Sequence, residues 1–200
     1  MGYRFFLCIF VILWVALAGC AGSPPSRFYM VNSLPQTKEA TQPKTGERCI
    51  TLGIGPINVP AYVDRPQIVT RISPNELQLA EFHNWAEPLK DSFARVLVEN
   101  LTTLVCTKGV FLFPWKEAAA VDYQIILEVI RFEGKIGETA LLVAQWSIFD
   151  GEGREMIVTG RSYVNEKAEG QNVEALVAAQ SRALADLSRQ IASAIEEVSP

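Results

Sequence analysis

Apolar positions recur along this chain with two periods, near 2 and near 3.6, and the change between them marks its elements. Residues 5–17 are almost wholly apolar. That run matches a signal-peptide core and falls short of the roughly 20 apolar residues a membrane-spanning helix needs. Residues 27–34 and 49–59 read as strands, the second with Ile50, Leu52 and Ile54 on one parity. Pro56 inside it signals an edge or a bulge. Residues 35–48 are a polar loop, and residues 60–66, framed by two prolines around Asp64, are a turn. Residues 67–72 and 76–82 form a hairpin about Ser73-Pro74-Asn75. Leu89, Phe93, Val96, Leu97, Leu101, Leu104 and Val105 then follow helical spacing. Pro88 suits the first helical position, Glu87 and Asp91 suit the positive end, and Lys108-Gly109 closes the helix.

Strands at 110–113, 122–132, 139–149 and 155–164 follow, the last two joined by Asp150-Gly151-Glu152-Gly153, a strong hairpin signal. Asn172 is a good N-cap for a closing helix whose stripe runs Val173, Leu176, Val177, Gln180, Leu184, Leu187, Ile191, Ile195 and Val198. The pattern predicts an α+β fold: an antiparallel sheet of about six to eight strands with two amphipathic helices packed on one face.

The early apolar run ends in Leu17-Ala18-Gly19-Cys20. Together with Arg4 ahead of it, this resembles the bacterial lipobox. The resemblance implies cleavage before Cys20, a diacylated thiol and an acylated amino group. Two or more acyl chains anchor stably where one binds marginally, at about 0.8 kcal/mol per buried CH₂. An uncleaved transmembrane anchor is the alternative. The division is then residues 1–19 as signal, 20–26 as lipidated tether and 27–200 as one domain. Ala21 follows the lipidated position, and the absence of Asp there resembles the outer-membrane sorting default of Gram-negative lipoproteins.

Loss of Arg4 with the signal takes the net charge from −4 to −5. A mildly acidic chain argues against nucleic acid as a partner, since a basic patch is the expected footprint. With Cys8 removed and Cys20 lipidated, Cys49 and Cys106 remain. Count and an oxidising compartment allow a disulfide, and two buried thiols are the alternative. A bond would close a loop of about 58 residues and constrain the unfolded chain by roughly 4 kcal/mol in the entropic model. Two cysteines and one histidine make a metal site a poor reading.

Catalytic chemistry is thin. His83 is the single histidine, and no Gly-x-Ser-x-Gly elbow is present. Glu87 and Asp91 read as acids of a helix's first turn, and Gly53-Ile54-Gly55 lacks the third glycine and the following helix of a phosphate loop. Two features exceed a plain core. Residues 60–66 combine rigidity with Tyr62, Asp64 and Arg65, and Trp85 stands at the helix entry. Rigid aromatics with arginine are typical binding hot spots, although Tyr62 and Trp85 can equally cap the core.

The lipobox, RFYMVNSLP, IGPINVPAYVDRPQIVTR, NELQLAEFHNWAEPLKDSFARVLVENL and the closing amphipathic helix together resemble the ABC-type transport auxiliary lipoprotein family, which has PqiC-like outer-membrane members. The resemblance spans essentially the whole chain. It implies a non-enzymatic envelope lipoprotein with no cofactor beyond the lipid on Cys20. The implied partners are the membrane, an MCE-domain protein and ABC transporter components, and a homo-oligomer is compatible with it. The implied role is docking a lipid-transport assembly at the outer membrane. The alternative is a periplasmic lipid carrier or chaperone with an apolar cavity between helices and sheet. A hydrolase is the third class, and the single histidine speaks against it. Cys20→Ala is expected to accumulate as unprocessed precursor, read by its size; a variant that is processed and fractionates like wild type would sink the lipobox assignment.

Overall fold

The computed structural model describes Tyr3 and residues 24–35, 49–115 and 121–199. The signal segment, Cys20, Ala21 and most of the 35–48 loop lie outside the described residues. In chain order the elements are β1 (Arg27–Tyr29), β2 (Ile50–Asn58), β3 (Gln67–Ser73), β4 (Glu76–Trp85), α1 (Leu89–Leu104), β5 (Thr107–Leu112), β6 (Tyr123–Gly134), β7 (Thr139–Asp150), β8 (Met156–Lys167) and α2 (Val173–Val198). No helix among the described residues is long and apolar enough to cross a membrane.

The eight strands form one sheet. β6 pairs antiparallel with β7 over its whole length, from Tyr123↔Asp150 to Gly134↔Ala140, and β8 continues the meander. The expectation of an antiparallel sheet is corrected on the other edge of β6. There β2 and then β3 both run parallel to β6, through Leu52↔Tyr123 to Asn58↔Glu128 and through Thr70↔Gly134. β5 is parallel to β2, and β1 is parallel to β4. The chain between β2 and β3 therefore does not reverse. Residues 60–66 are an excursion from one strand direction, and the reversal comes only at the β3–β4 hairpin.

Both helical stripes pack into the same core as one parity of the strands. Phe93, Val96, Leu97 and Leu101 of α1 and Leu184, Leu187, Ile191 and Ile195 of α2 have no solvent exposure. Asn172 caps α2, its side chain accepting from the Ala175 amide. Pro88 is the N-cap residue of α1, one position before its expected place. That helix ends at Leu104, and Lys108 and Gly109 belong to β5. The early stop has a visible cause. Cys106 is bonded to Cys49, with Cα atoms 4.7 Å apart, and its carbonyl accepts from the Ile50 amide. The chain is thereby drawn into the sheet at Thr107.

Pro56 marks a bulge, since pairing with β6 slips between Ile54 and Ile57, but β2 lies inside the sheet and not at its edge. The lone Gly-x-Gly has a packing explanation. A Cβ on Gly53 would meet the Trp115 ring at 2.7 Å, and Gly55 has φ +117° with Phe113 beside it. The two glycines let residues 113–115 lie across β2. Leu97→Ala and Leu184→Ala are each expected to destabilise the domain by roughly 2–5 kcal/mol, as measured by denaturant unfolding, because each empties a fully enclosed site.

Candidate functional site

The excursion at 60–66 is fixed from within. The Val63 and Asp64 amides donate to the Pro60 carbonyl at 3.0 and 3.1 Å, and the Arg65 amide donates to Val63 at 2.9 Å. Val63 is buried in the core. The far end is tied by the Trp85 amide, which donates to the Pro66 carbonyl at 2.7 Å. Asp64, Arg65 and Pro66 remain exposed. With Trp85, Ala86, Glu87 and Pro88 they line an open cleft of about 430 Å³.

Three of the four expected docking residues thus meet at one cleft, with different exposure. Asp64 and Arg65 are exposed at its rim. Trp85 is only 6% exposed and packs over Phe132 with ring centroids 6.4 Å apart. Tyr62 is half-buried and its hydroxyl donates to Glu133 Oε2 at 2.5 Å. Of the two readings open for Tyr62 and Trp85, binding hot spot or cap of the core, the burial and contacts of both rings favour the cap.

Glu133 is the residue sequence reasoning missed. It lies on β6 and is wholly buried. Its Oε1 accepts from Arg71 Nε at 3.0 Å and from Arg131 Nε and Nη2 at 2.8 and 2.6 Å. Arg71 also donates to the Pro74 carbonyl at 2.8 Å. Burial opposes the carboxylate charge, but hydrogen bonds from Tyr62, Arg131 and Arg71 outweigh it and hold the Glu133 carboxyl below its ordinary range. Burial, followed by the carboxylate it donates to, pushes the Tyr62 hydroxyl well above the usual tyrosine value. The available signal was Arg131-x-Glu133, two charges of one parity inside an apolar strand.

The other polar candidates are absorbed by structure. Glu87 reaches the first turn of α1, accepting from Ser92 Oγ at 2.7 Å and Arg95 Nη2 at 2.8 Å. Burial works against its charge, and these two partners nonetheless hold its carboxyl below the ordinary value. His83 Nδ1 lies 2.7 Å from the Tyr29 hydroxyl and helps seat β1 on β4. No three His, Cys, Asp or Glu side chains cluster as metal ligands among the described residues.

Residues 33–192 match the family model described as ABC-type transport auxiliary lipoprotein component. The chain belongs to that family. Its description is of an auxiliary transport component and a lipoprotein. Among solved structures, an uncharacterized protein superposes with a TM-score of 0.68 at 17% identity, covering 86% of this chain and 99% of that one. Protein XCC0632 from Xanthomonas campestris gives the same TM-score, 0.68, and identity, 17%, covering 84% of this chain and 93% of that one. At that identity the likeness speaks for the fold alone. No curated protein matches the sequence.

In this auxiliary lipoprotein, Glu133 ties three segments together. Glu133→Ala is expected to cost about 2–3 kcal/mol, below the range for a fully buried pair because both guanidiniums keep contact with water. The native carboxyl is lowered, so its contribution is complete above the ordinary glutamate value of 4.5 and is lost as pH falls through the depressed native value. Denaturant unfolding across that acid range should show a smaller loss of stability for Glu133→Gln than for the wild type.

Proposed function

We propose that this chain is a non-enzymatic, lipid-anchored auxiliary component of an ABC and MCE-type intermembrane lipid transport system, docking the transport assembly at the outer membrane. The cleft at residues 60–66 carries this reading. A loop whose backbone is hydrogen-bonded at both ends loses little entropy on binding. Asp64 and Arg65 stand exposed on it as polar orienters, beside the edge of a buried tryptophan. The burial of both helical stripes supports an adaptor over a lipid carrier, because these apolar faces are spent on the sheet. The six residues 21–26 reach at most about 20 Å at 3.3–3.6 Å each, which suits a cap held close to the membrane.

The test is a charge reversal, Asp64→Arg with Arg65→Glu, leaving Tyr62 and its Glu133 contact in place. The doubly substituted protein should fold and stay anchored while its affinity for the MCE-domain partner drops about tenfold or more, each tenfold being 1.4 kcal/mol. Full recovery of partner in pull-downs from anchored, folded protein would sink the assignment of this loop.

A further inference from the structure

We propose that the tip of the β3–β4 hairpin dips into the surface of the bilayer that holds the protein's own acyl chains. The inference rests on the lipid-anchored reading above and adds an orientation to it. β1 runs parallel to β4, with Arg27 opposite His83 and Tyr29 opposite Trp85. β4 starts at the hairpin tip, where Ser73 faces Glu76. Going backward from Arg27 therefore means going toward that tip. Cys20 precedes Arg27 by seven residues, and Glu76 precedes His83 by the same seven. Pro25 biases Pro24 to an extended conformation. At about 3.3 Å per residue the β4 stretch spans roughly 23 Å, and seven residues of tether reach at most about as far, so the tether is long enough to bring Cys20 level with the hairpin turn.

The surface at this end has the matching chemistry. Ile72, Leu77 and Leu79 are 46%, 39% and 44% exposed. Leu77 and Leu79, two apart on one strand, share a face. Ile136, in the turn after β6, is also exposed, and the Thr70↔Gly134 pair sets that turn beside the hairpin. Apolar side chains gathered on a surface mark a contact site. The charges here balance: Arg71, Arg131 and Lys135 against Glu76, Glu133 and Glu138. Contact would be driven by apolar burial next to an existing anchor, not by attraction to anionic lipid, and would resist salt.

The full-length lipidated chain, in phosphatidylethanolamine and phosphatidylglycerol vesicles, is the material for the test. One variant is Leu77→Cys and the other Met156→Cys, an exposed site at the far end of β6 and β7, paired with Phe149. Each added thiol carries an environment-sensitive fluorophore; Cys49 and Cys106 are bonded to each other and do not compete. Nitroxide-labelled lipid should quench emission from position 77 and spare position 156, unchanged in high salt. Unquenched emission at 77, or equal quenching at both sites, from a chain that floats with the vesicles overturns the hairpin contact alone. A blue shift at 77 without nitroxide quenching also overturns it, since protein and not lipid then covers the hairpin. A chain that does not float overturns the lipid-anchor reading and this proposal with it.

Discussion

One buried carboxylate holds one half of this domain in shape. Glu133 sits on the long strand β6 and receives Tyr62 from the proline-framed excursion, Arg71 from the hairpin and Arg131 from its own strand. The need is geometric. β3 is joined to β6 through the single bridged pair Thr70↔Gly134, so backbone pairing alone secures the hairpin weakly. Arg71 supplies a second tie, with Glu133 on one side and the Pro74 carbonyl of the hairpin turn on the other. A charge out of water is tolerated only when paired and hydrogen-bonded, and Glu133 uses that rule to fasten two segments at once.

The excursion itself follows from how β6 shares its edge. Asn58 stands opposite Glu128 and Thr70 opposite Gly134, so twelve residues on one side accompany six on the other. The surplus leaves the sheet as residues 60–66. Prolines at 60 and 66 fix φ at both ends, and Val63 anchors the middle in the core. The exposed Asp64 and Arg65 are therefore presented by a segment that the sheet cannot absorb and the core does not release.

Most of the elements were legible from periodicity. Helical stripes at three- and four-residue spacing gave both helices, and alternation with glycine turns gave the meander, because burial on one face dictates both patterns. Strand direction was not legible. Residue parity is the same for parallel and antiparallel neighbours, so a short proline-rich connection between β2 and β3 looked like a reversal. At the site, Asp64 and Arg65 were readable as a rigid charged pair. The roles of Tyr62 and Trp85 were not, since an amphipathic aromatic serves a core edge and an interface equally well. Glu133 was hidden because, apart from Arg131, its partners lie 62 and 71 residues away in the sequence, and only the folded sheet brings them within hydrogen-bond reach.

The two proposed surfaces stand in a fixed relation. The hairpin turn and the Asp64–Arg65 rim lie at opposite ends of β3, whose seven residues span roughly 20 Å at about 3.3 Å each. In the proposed orientation, with the hairpin tip at the leaflet, the rim would stand that far from the bilayer surface. β3 is stiffened along this span by β4 on one side and by the Arg71–Glu133 tie to β6 on the other. Stiffness matters here because a docking surface on a flexible stalk would lose orientational freedom on every binding event. On the proposed orientation the buried carboxylate would act through mechanics: it would set the height and angle at which the rim meets a partner, without touching that partner.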